Sequence, residues 1–193
     1  HLALPEDLRA GIVHPLAELW NEIISRTGSS DGYHVLDVED AVRLIDLSKR
    51  PKLSLGQSRE LSETIESLGY GIEPDARHDA AYLWNQQITV FKPASGKVTP
   101  PTQAYLGAAA LLKLCVIVAG ADGQVNIDEL EAARDFIEKT LTLTPEEHQR
   151  FAALEKALIA DPTTAKSSLA RLAKGVPIAQ RAAIGEVLVY VAA

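Results

Sequence analysis

The sequence has few of the features that mark secreted or membrane proteins. It contains one cysteine and no methionine among 193 residues, and only 5% of the residues are aromatic. A single cysteine cannot form an intramolecular disulfide, so we expect a protein of a reducing compartment, the cytoplasm. The longest apolar run, from Leu114 to Ala121, is far shorter than the roughly 20 residues of a membrane-spanning helix. We therefore expect a soluble chain.

An excess of basic charge is also missing. The chain has 19 Lys and Arg residues against 26 Asp and Glu residues, a net charge of −7. Nucleic-acid binding requires clustered basic side chains that neutralise phosphates, so the charge argues against that class of partner. The apolar share of 47% and the charged share of 23% are typical of a globular protein.

The missing methionine, and the last residues, suggest a piece of a longer protein. The chain ends inside an apolar segment, Val187 to Ala193, where a natural helix would have a polar cap. We therefore expect the C-terminal domain to be truncated, with flanking domains or a separate protein as partners.

Apolar residues recur at helical spacing along most of the chain, which predicts an all-α fold. In the first half, helices are predicted at Pro5 to Arg26, from Asp37 to before Pro51, at Ser54 to Leu68, and from Asp75 through Trp84. The segment Gln87 to Phe91 is β-branched and aromatic, so it is either a short strand or an extended connector. We expect Trp20, Tyr82 and Trp84 to fill the core of this half.

A break in composition divides the chain in two. Lys92 to Pro101 contains three prolines and a glycine, which predicts a boundary between a helical region 1–98 and a helical domain 99–193. The second part is predicted to contain a buried Ala- and Leu-rich helix ending near Ala119. Helices are then predicted to start at Asn126, Thr144, Asp161 and Pro177.

The candidate site is the turn between the Ala- and Leu-rich helix and the helix that starts at Asn126. Asp122-Gly123 favours a turn, and Asn126 with Glu129 forms a capping-box pattern at the next helix. The same residues carry oxygen atoms of the kind that bind a hard divalent cation such as calcium. Asp122 and Glu129 would be side-chain ligands and Asn126 an accessory ligand or cap. A purely structural turn remains the alternative.

An EF-hand loop does not fit this turn. With Gly123 at the invariant glycine, the three candidate ligands fall on the fifth, ninth and twelfth loop positions. The first and third ligand positions, however, fall on Val118 and Gly120, which have no side-chain oxygens. Between Asp122 and Glu147, eight acidic residues face two basic ones, a net charge of −6, which attracts cations or a basic partner. A solvated acidic face is the plainer interpretation.

No motif of a known catalytic type occurs in the sequence. Cys115 lies in an apolar helix and is expected to be a buried thiol, and the histidines form no zinc-type pair. The pattern therefore predicts a protein that is not an enzyme. An enzyme would require acidic residues distant in sequence to converge in a cleft.

The stretch from Leu114 to Leu130, together with a later apolar helix ending in Val-Ala-Ala, resembles the TerB-like domains associated with tellurite resistance. The resemblance extends over about residues 99–193. It implies an all-helical fold with two Asp-Gly elements, the second following Ala193, and a metal-ion-responsive or protein-docking module of bacterial stress-response systems. The alternative is an interaction scaffold that has no ion site.

Overall fold

The structure is a computed structural model that describes residues 16–119 and 127–165. For residues 127–129 it describes the backbone only. The helices are α1 (Ala17–Ser25), α2 (Val38–Ala41), α3 (Leu55–Ser67), α4 (Gln103–Ala119), α5 (Ile127–Thr140) and α6 (Pro145–Ala160), and a 3-10 helix (Val42–Ile45) follows α2. The strands are β1 (Tyr33–Asp37), β2 (Gly71–Glu73) and β3 (Gln87–Phe91). We call residues 16–91 the sheet region and α4 to α6 the helical region.

The fold is mainly helical, but it is not all-α. The three strands form an antiparallel sheet in the order β1-β3-β2. The strand interpretation of Gln87–Phe91 is thereby confirmed, and this segment is the central strand. The other two strands are five and three residues long, and each pairs with a segment far away in sequence. Helical periodicity carries no information about such pairing, which is why the all-α prediction was wrong here.

The helix predicted from Asp75 through Trp84 does not form. These residues follow β2 and make turns and a bridge to Lys52 instead. Asp75 does accept a hydrogen bond from the backbone N–H of Arg77, as a capping residue would. Its carboxylate is also held by two guanidinium groups, and the chain makes one turn at residues 75–79 before it extends. The tertiary partners of Asp75 decide its conformation.

The helices with strong local signals form where they were predicted. Ser54 accepts a hydrogen bond from the N–H of Gln57 while the Gln57 side chain accepts one from the N–H of Ser54, so α3 begins with a capping box. Thr144 and Glu147 do the same at α6. The helix predicted from Asp37 is short, because α2 gives way to the 3-10 helix after four residues.

The two faces of the sheet pack against different regions. Alternate residues of a strand point to opposite faces, and Ile88 and Val90 lie in the core that α1 and α3 complete with Trp20 and Leu61. This core also holds Tyr82 and Trp84, as expected from the sequence. The other face is covered by α6, which contacts all three strands.

The helical region has its own apolar core. Its largest members come from all three helices and are Tyr105, Leu112, Leu130, Ile137, Phe151 and Leu154. Among residues 16–119 and 127–165, no helix is both long and apolar enough to cross a membrane.

Candidate functional site

The predicted cation site lies at the connection between α4 and α5. The structure ends α4 at Ala119 and begins α5 at Ile127. Asp122 and Asn126 therefore fall on the connection 120–126, which lies outside the described residues. Glu129 belongs to the first turn of α5, but its side chain is also outside the description. The proposed ligands thus remain a prediction from the sequence.

The helices that flank this connection are packed against each other. Cys115 of α4 is fully buried with Ala133 of α5, and Phe136 packs against both. The prediction of a buried thiol at position 115 is confirmed. Burial raises the pKa of this thiol to about 11, so almost none of it is thiolate at neutral pH.

The acidic residues of α5 surround an ion pair. Arg134 Nη1 donates to Glu155 Oε2 on α6 at 3.3 Å, and Glu155 is only 7% exposed. Burial raises the pKa of Glu155 despite the Arg134 charge, and the nearby Glu131 and Glu138 raise it further. Within the described part of the chain, no group of three or more His, Cys, Asp or Glu side chains is placed to hold a metal ion.

The strongest electrostatic feature is a buried ionic cluster between α6 and the sheet. Arg150 of α6, 4% exposed, donates from Nε to Glu73 Oε1 at 2.7 Å and from Nη2 to Asp75 Oδ2 at 3.2 Å. Its Nη1 donates to the carbonyl oxygen of Thr99 at 3.0 Å, and its guanidinium lies 5.3 Å from the ring centre of Tyr105. One side chain thus connects three segments that are distant in sequence.

Arg77 completes this cluster from the outer side. Its Nη2 donates to Asp75 Oδ2 at 2.7 Å and its Nη1 pairs with Glu66 of α3. Burial acts to raise the pKa of Asp75, but the hydrogen bonds and charge of Arg77 outweigh burial and lower it. For Glu73 burial wins over the attraction of Arg150, and the pKa is raised.

Further contacts connect the two regions. Lys113 in the otherwise apolar α4 is 5% exposed and pairs with Asp79 of the sheet region. Near the far end of α6, Lys156 Nζ lies 2.8 Å from Asp31 Oδ2 and 5.5 Å from the ring centre of Tyr33. The basic side chains Lys113, Arg150 and Lys156 are therefore each paired with an acidic residue of the sheet region.

The proline-containing segment 92–101 is held along α6. Gln149 Nε2 donates to the Lys92 carbonyl oxygen at 2.7 Å, and the N–H of Ala94 donates to Gln149 Oε1 at 3.0 Å. Glu147 accepts a hydrogen bond from the N–H of Thr102 at 2.8 Å in addition to its capping role at Thr144. The segment predicted as a boundary is thus fixed to α6 through side-chain to main-chain hydrogen bonds.

Sequence reasoning missed the residues of this cluster. In two helices, a charged residue at an apolar position could have indicated the cluster. Arg150 shares a helical stripe with Leu154 and Leu158, and Lys113 lies between Leu112 and Leu114 in an apolar helix. A lone charge at an inward-facing helical position predicts a buried partner, since an unpaired buried charge is costly. The identity of that partner depends on the tertiary fold.

Comparison with protein families covers the second part of the chain. Residues 108–193 match the family model of the tellurite resistance protein TerB. This part of the chain, slightly less than half of it, is similar to a TerB domain. No curated protein and no solved structure matches the chain. The match starts within α4 and includes α5 and α6, so the resemblance noted in the sequence is confirmed over these residues.

The ionic contacts described above join residues inside the family match to residues that precede it in the sequence. Arg150 and Lys113 lie within the residues that match the family model, whereas Glu73, Asp75 and Asp79 precede them. TerB domains are generally non-enzymatic. The sheet region is therefore joined to the matched residues by ion pairs, in which the basic partner lies inside the match and the acidic partner lies before it.

Proposed function

We propose that the chain is a non-enzymatic TerB-like module that binds a divalent cation at the connection between α4 and α5. In this proposal the carboxylates of Asp122 and Glu129 are ligands, and Asn126 is an accessory ligand or cap. The supporting observation is the direct packing of α4 on α5 around Cys115 and Ala133. This packing anchors both ends of the connection, which reduces the entropy lost when its oxygen atoms are ordered around an ion.

The ligand chemistry favours a hard cation such as calcium. The two carboxylates, Asn126 and the Gln124 carbonyl oxygen would supply ~4 to 5 of the 6 to 8 oxygen ligands that calcium takes, and water would supply the others. Exposed Glu131 and Asp135 on α5 add negative charge near this end of the domain. Their field raises the local cation concentration without direct coordination.

The biological role that we propose is ion-dependent docking in a bacterial stress response. The family description, which names tellurite resistance, supports this proposal. A cation at the connection would neutralise part of the acidic charge at the start of α5. A protein partner or a flanking domain that contacts this end would then bind with an affinity that depends on the ion. In the alternative, a scaffold without an ion site, the same acidic surface of α5 binds a basic partner directly.

The proposal is tested by ligand-linked stability. The chain is treated with EDTA and dialysed, and its Tm is measured with CaCl2, MgCl2 or MnCl2. A ligand at 100 times its Kd stabilises the folded state by ~2.7 kcal/mol. For a chain of this size we expect a rise in Tm of about 5 to 10 °C with at least one of these salts.

A matched pair of variants separates coordination from general charge. Asp122→Asn with Glu129→Gln removes two charges at the proposed site, and Glu131→Gln with Asp135→Asn removes two from the exposed face of α5. The first double variant should lose the rise in Tm, and the second should keep it. If no divalent salt raises the Tm of the unaltered chain, the cation site is excluded.

A further inference from the structure

The TerB-like match and the proline-containing segment both suggest two separable parts, but α6 lies on the sheet as a layer of the fold. We infer that Arg150 couples the sheet region and the helical region into one cooperative unit, so that neither region unfolds without the other. This inference concerns the architecture and does not depend on a cation site. It also makes α6 the element through which a change in one region reaches the other.

The sheet presents the carboxylate of Glu73 to Arg150. Glu73 of β2 lies directly opposite Thr89 of β3, which lies opposite Val35 of β1, so these three side chains point to the same face. That face is the one covered by α6, and Glu73 is only 4% exposed beneath it. Arg150 Nε donates to Glu73 on this face, and the Tyr105 hydroxyl also acts on this carboxylate.

Loss of Arg150 would leave charge buried on the sheet side. Asp75 would keep Arg77, but the ionised carboxylate of Glu73 would lose its 2.7 Å partner in a site that excludes water. A buried charge without its partner destabilises the arrangement that buries it, which here is the contact of α6 with the sheet. The cost therefore falls on the interface between the two regions.

The connecting segment reinforces this coupling. Arg150 also donates to Thr99, and Gln149 bonds to Lys92 and Ala94. A flexible linker between independent domains would have few such contacts. Here α6 fixes the sheet and the segment that leaves it.

The chain carries a separate natural probe in each region. Its only tryptophans, Trp20 and Trp84, lie in the core of the sheet region, and its only cysteine, Cys115, is buried in α4. Urea unfolding of the full chain is followed by tryptophan fluorescence and, in parallel, by brief labelling of Cys115 with a thiol reagent. A cooperative unit gives one midpoint by both probes. Cys115 labelling at clearly lower urea than the tryptophan change in the unaltered chain would overturn the inference.

Two substitutions sharpen the test, one at an ion pair within the helical region and one at the contact between the regions. Arg134→Gln removes an ion pair made wholly within the helical region. Under coupling it shifts both midpoints down by the same amount. A shift of the Cys115 midpoint alone would contradict coupling, because the tryptophans would then be insensitive to the helical region.

Arg150→Met removes the ionic contacts between the regions and keeps a long side chain. We expect the two midpoints to separate, with at least a 0.5 M difference in urea, while the Arg134→Gln chain keeps them together. Coincident midpoints in Arg150→Met would show that Arg150 is not the coupling residue. Should this variant not fold, Arg150→Lys keeps one charge but loses the fork that reaches Glu73, Asp75 and Thr99, and the same criterion applies.

Discussion

The sheet region and the helical region stabilise their interiors in different ways. In the sheet region, the buried hydroxyl of Tyr82 is bonded to Ser62, to the N–H of Ala76 and to the carbonyl oxygen of Pro74. In the helical region, the buried hydroxyl of Tyr105 makes no hydrogen bond of normal geometry among the described residues, and its polar neighbours are Glu73 and Arg150 of the ionic cluster. The first interior depends on specific polar bonds, and the second depends on apolar packing of alanine and leucine side chains.

This difference follows from the secondary structure. Helices satisfy their own backbone groups, so α4 to α6 can pack through apolar side chains alone. The short strands and turns of the sheet region leave backbone groups unpaired, such as the N–H of Ala76 and the N–H of Tyr82, which donates to Ser58. Buried side-chain hydroxyls therefore pair with backbone groups in the sheet region, whereas the hydroxyl bonds of the helical region lie at helix ends, as at Thr144.

The largest expected contrast is between the two buried tyrosines. Tyr82→Phe leaves the N–H of Ala76 and the carbonyl of Pro74 without their partner, and we expect a loss of about 3 kcal/mol in the free energy of unfolding. Tyr105→Phe removes a hydroxyl that makes no regular hydrogen bond, and we expect a loss below about 1 kcal/mol. Urea unfolding of both variants measures the two values. Equal losses would contradict the contrast between the regions.

A second contrast concerns glycines. A Cβ at Gly71 of β2 would lie 2.4 Å from Phe91 Cζ and within 3 Å of two further ring atoms. Phe91 is 2% exposed and cannot move away easily, so Gly71→Ala should cost about 2 kcal/mol.

Gly107 in α4 is the matched control for that substitution. A Cβ there meets no heavy atom within 4 Å, so Gly107→Ala should stabilise the chain by about 0.5 to 1 kcal/mol through helix propensity. The free energies of unfolding should therefore change in opposite directions. A stabilising Gly71→Ala would show that the β2–β3 contact is looser than the structure indicates.

A third prediction concerns a feature that the regions share. Ser54 and Thr144 cap α3 and α6 through the same reciprocal hydrogen bonds, so Ser54→Ala and Thr144→Ala should each cost about 1 kcal/mol. Thr142→Ala, at an exposed position before α6, is the control and should change little. The urea unfolding midpoints of the three variants, at an unchanged m value, measure the three losses in the free energy of unfolding. A Thr144 effect well above that of Ser54 would indicate that the additional bond from Thr102 to Glu147 depends on this cap.

The smallest effect is expected at the exposed contact between the regions. The hydrogen bond from Lys156 is the main cause that lowers the pKa of Asp31. The pair therefore stabilises the fold at pH values above the ordinary Asp pKa. This stability is lost as the pH falls through the lowered pKa. Both side chains are well exposed, at 39% and 52%. Asp31→Asn should therefore cost less than about 0.5 kcal/mol, and the cost should disappear in 1 M NaCl. A loss above about 1 kcal/mol that persists in salt would contradict this.

How much of the fold was predictable depends on the range of the interactions. The helix at Thr144 was predicted from its capping residues, and the helix at Ser54 was predicted from apolar residues at helical spacing. Both signals lie within a short stretch of sequence. The strand at Gln87 was left open, because its β-branched pattern is short and its partners are distant. Asp75 was predicted to cap a helix, whereas Arg77 and Arg150 recruit its carboxylate to the buried cluster.

The candidate site shows the same division. The TerB-like signal from Leu114 to Leu130 is contiguous, so it could be recognised from the sequence and is confirmed by the family match. The ionic cluster joins positions 66 to 77 with position 150. Its charged residues could be noticed individually, but the sequence did not indicate which of them would meet.

By itself, the sequence determined where the long helices begin, that Cys115 and the tryptophans are buried, and that the second part of the chain resembles TerB. These properties depend on neighbours within a few residues or on the apolar character of a segment. Only the tertiary structure decided that three short strands form a sheet, that α6 covers it and that Arg150 pairs with Glu73 and Asp75. Those pairings depend on loop closure over tens of residues, where the stability gained by each contact depends on the whole fold being present.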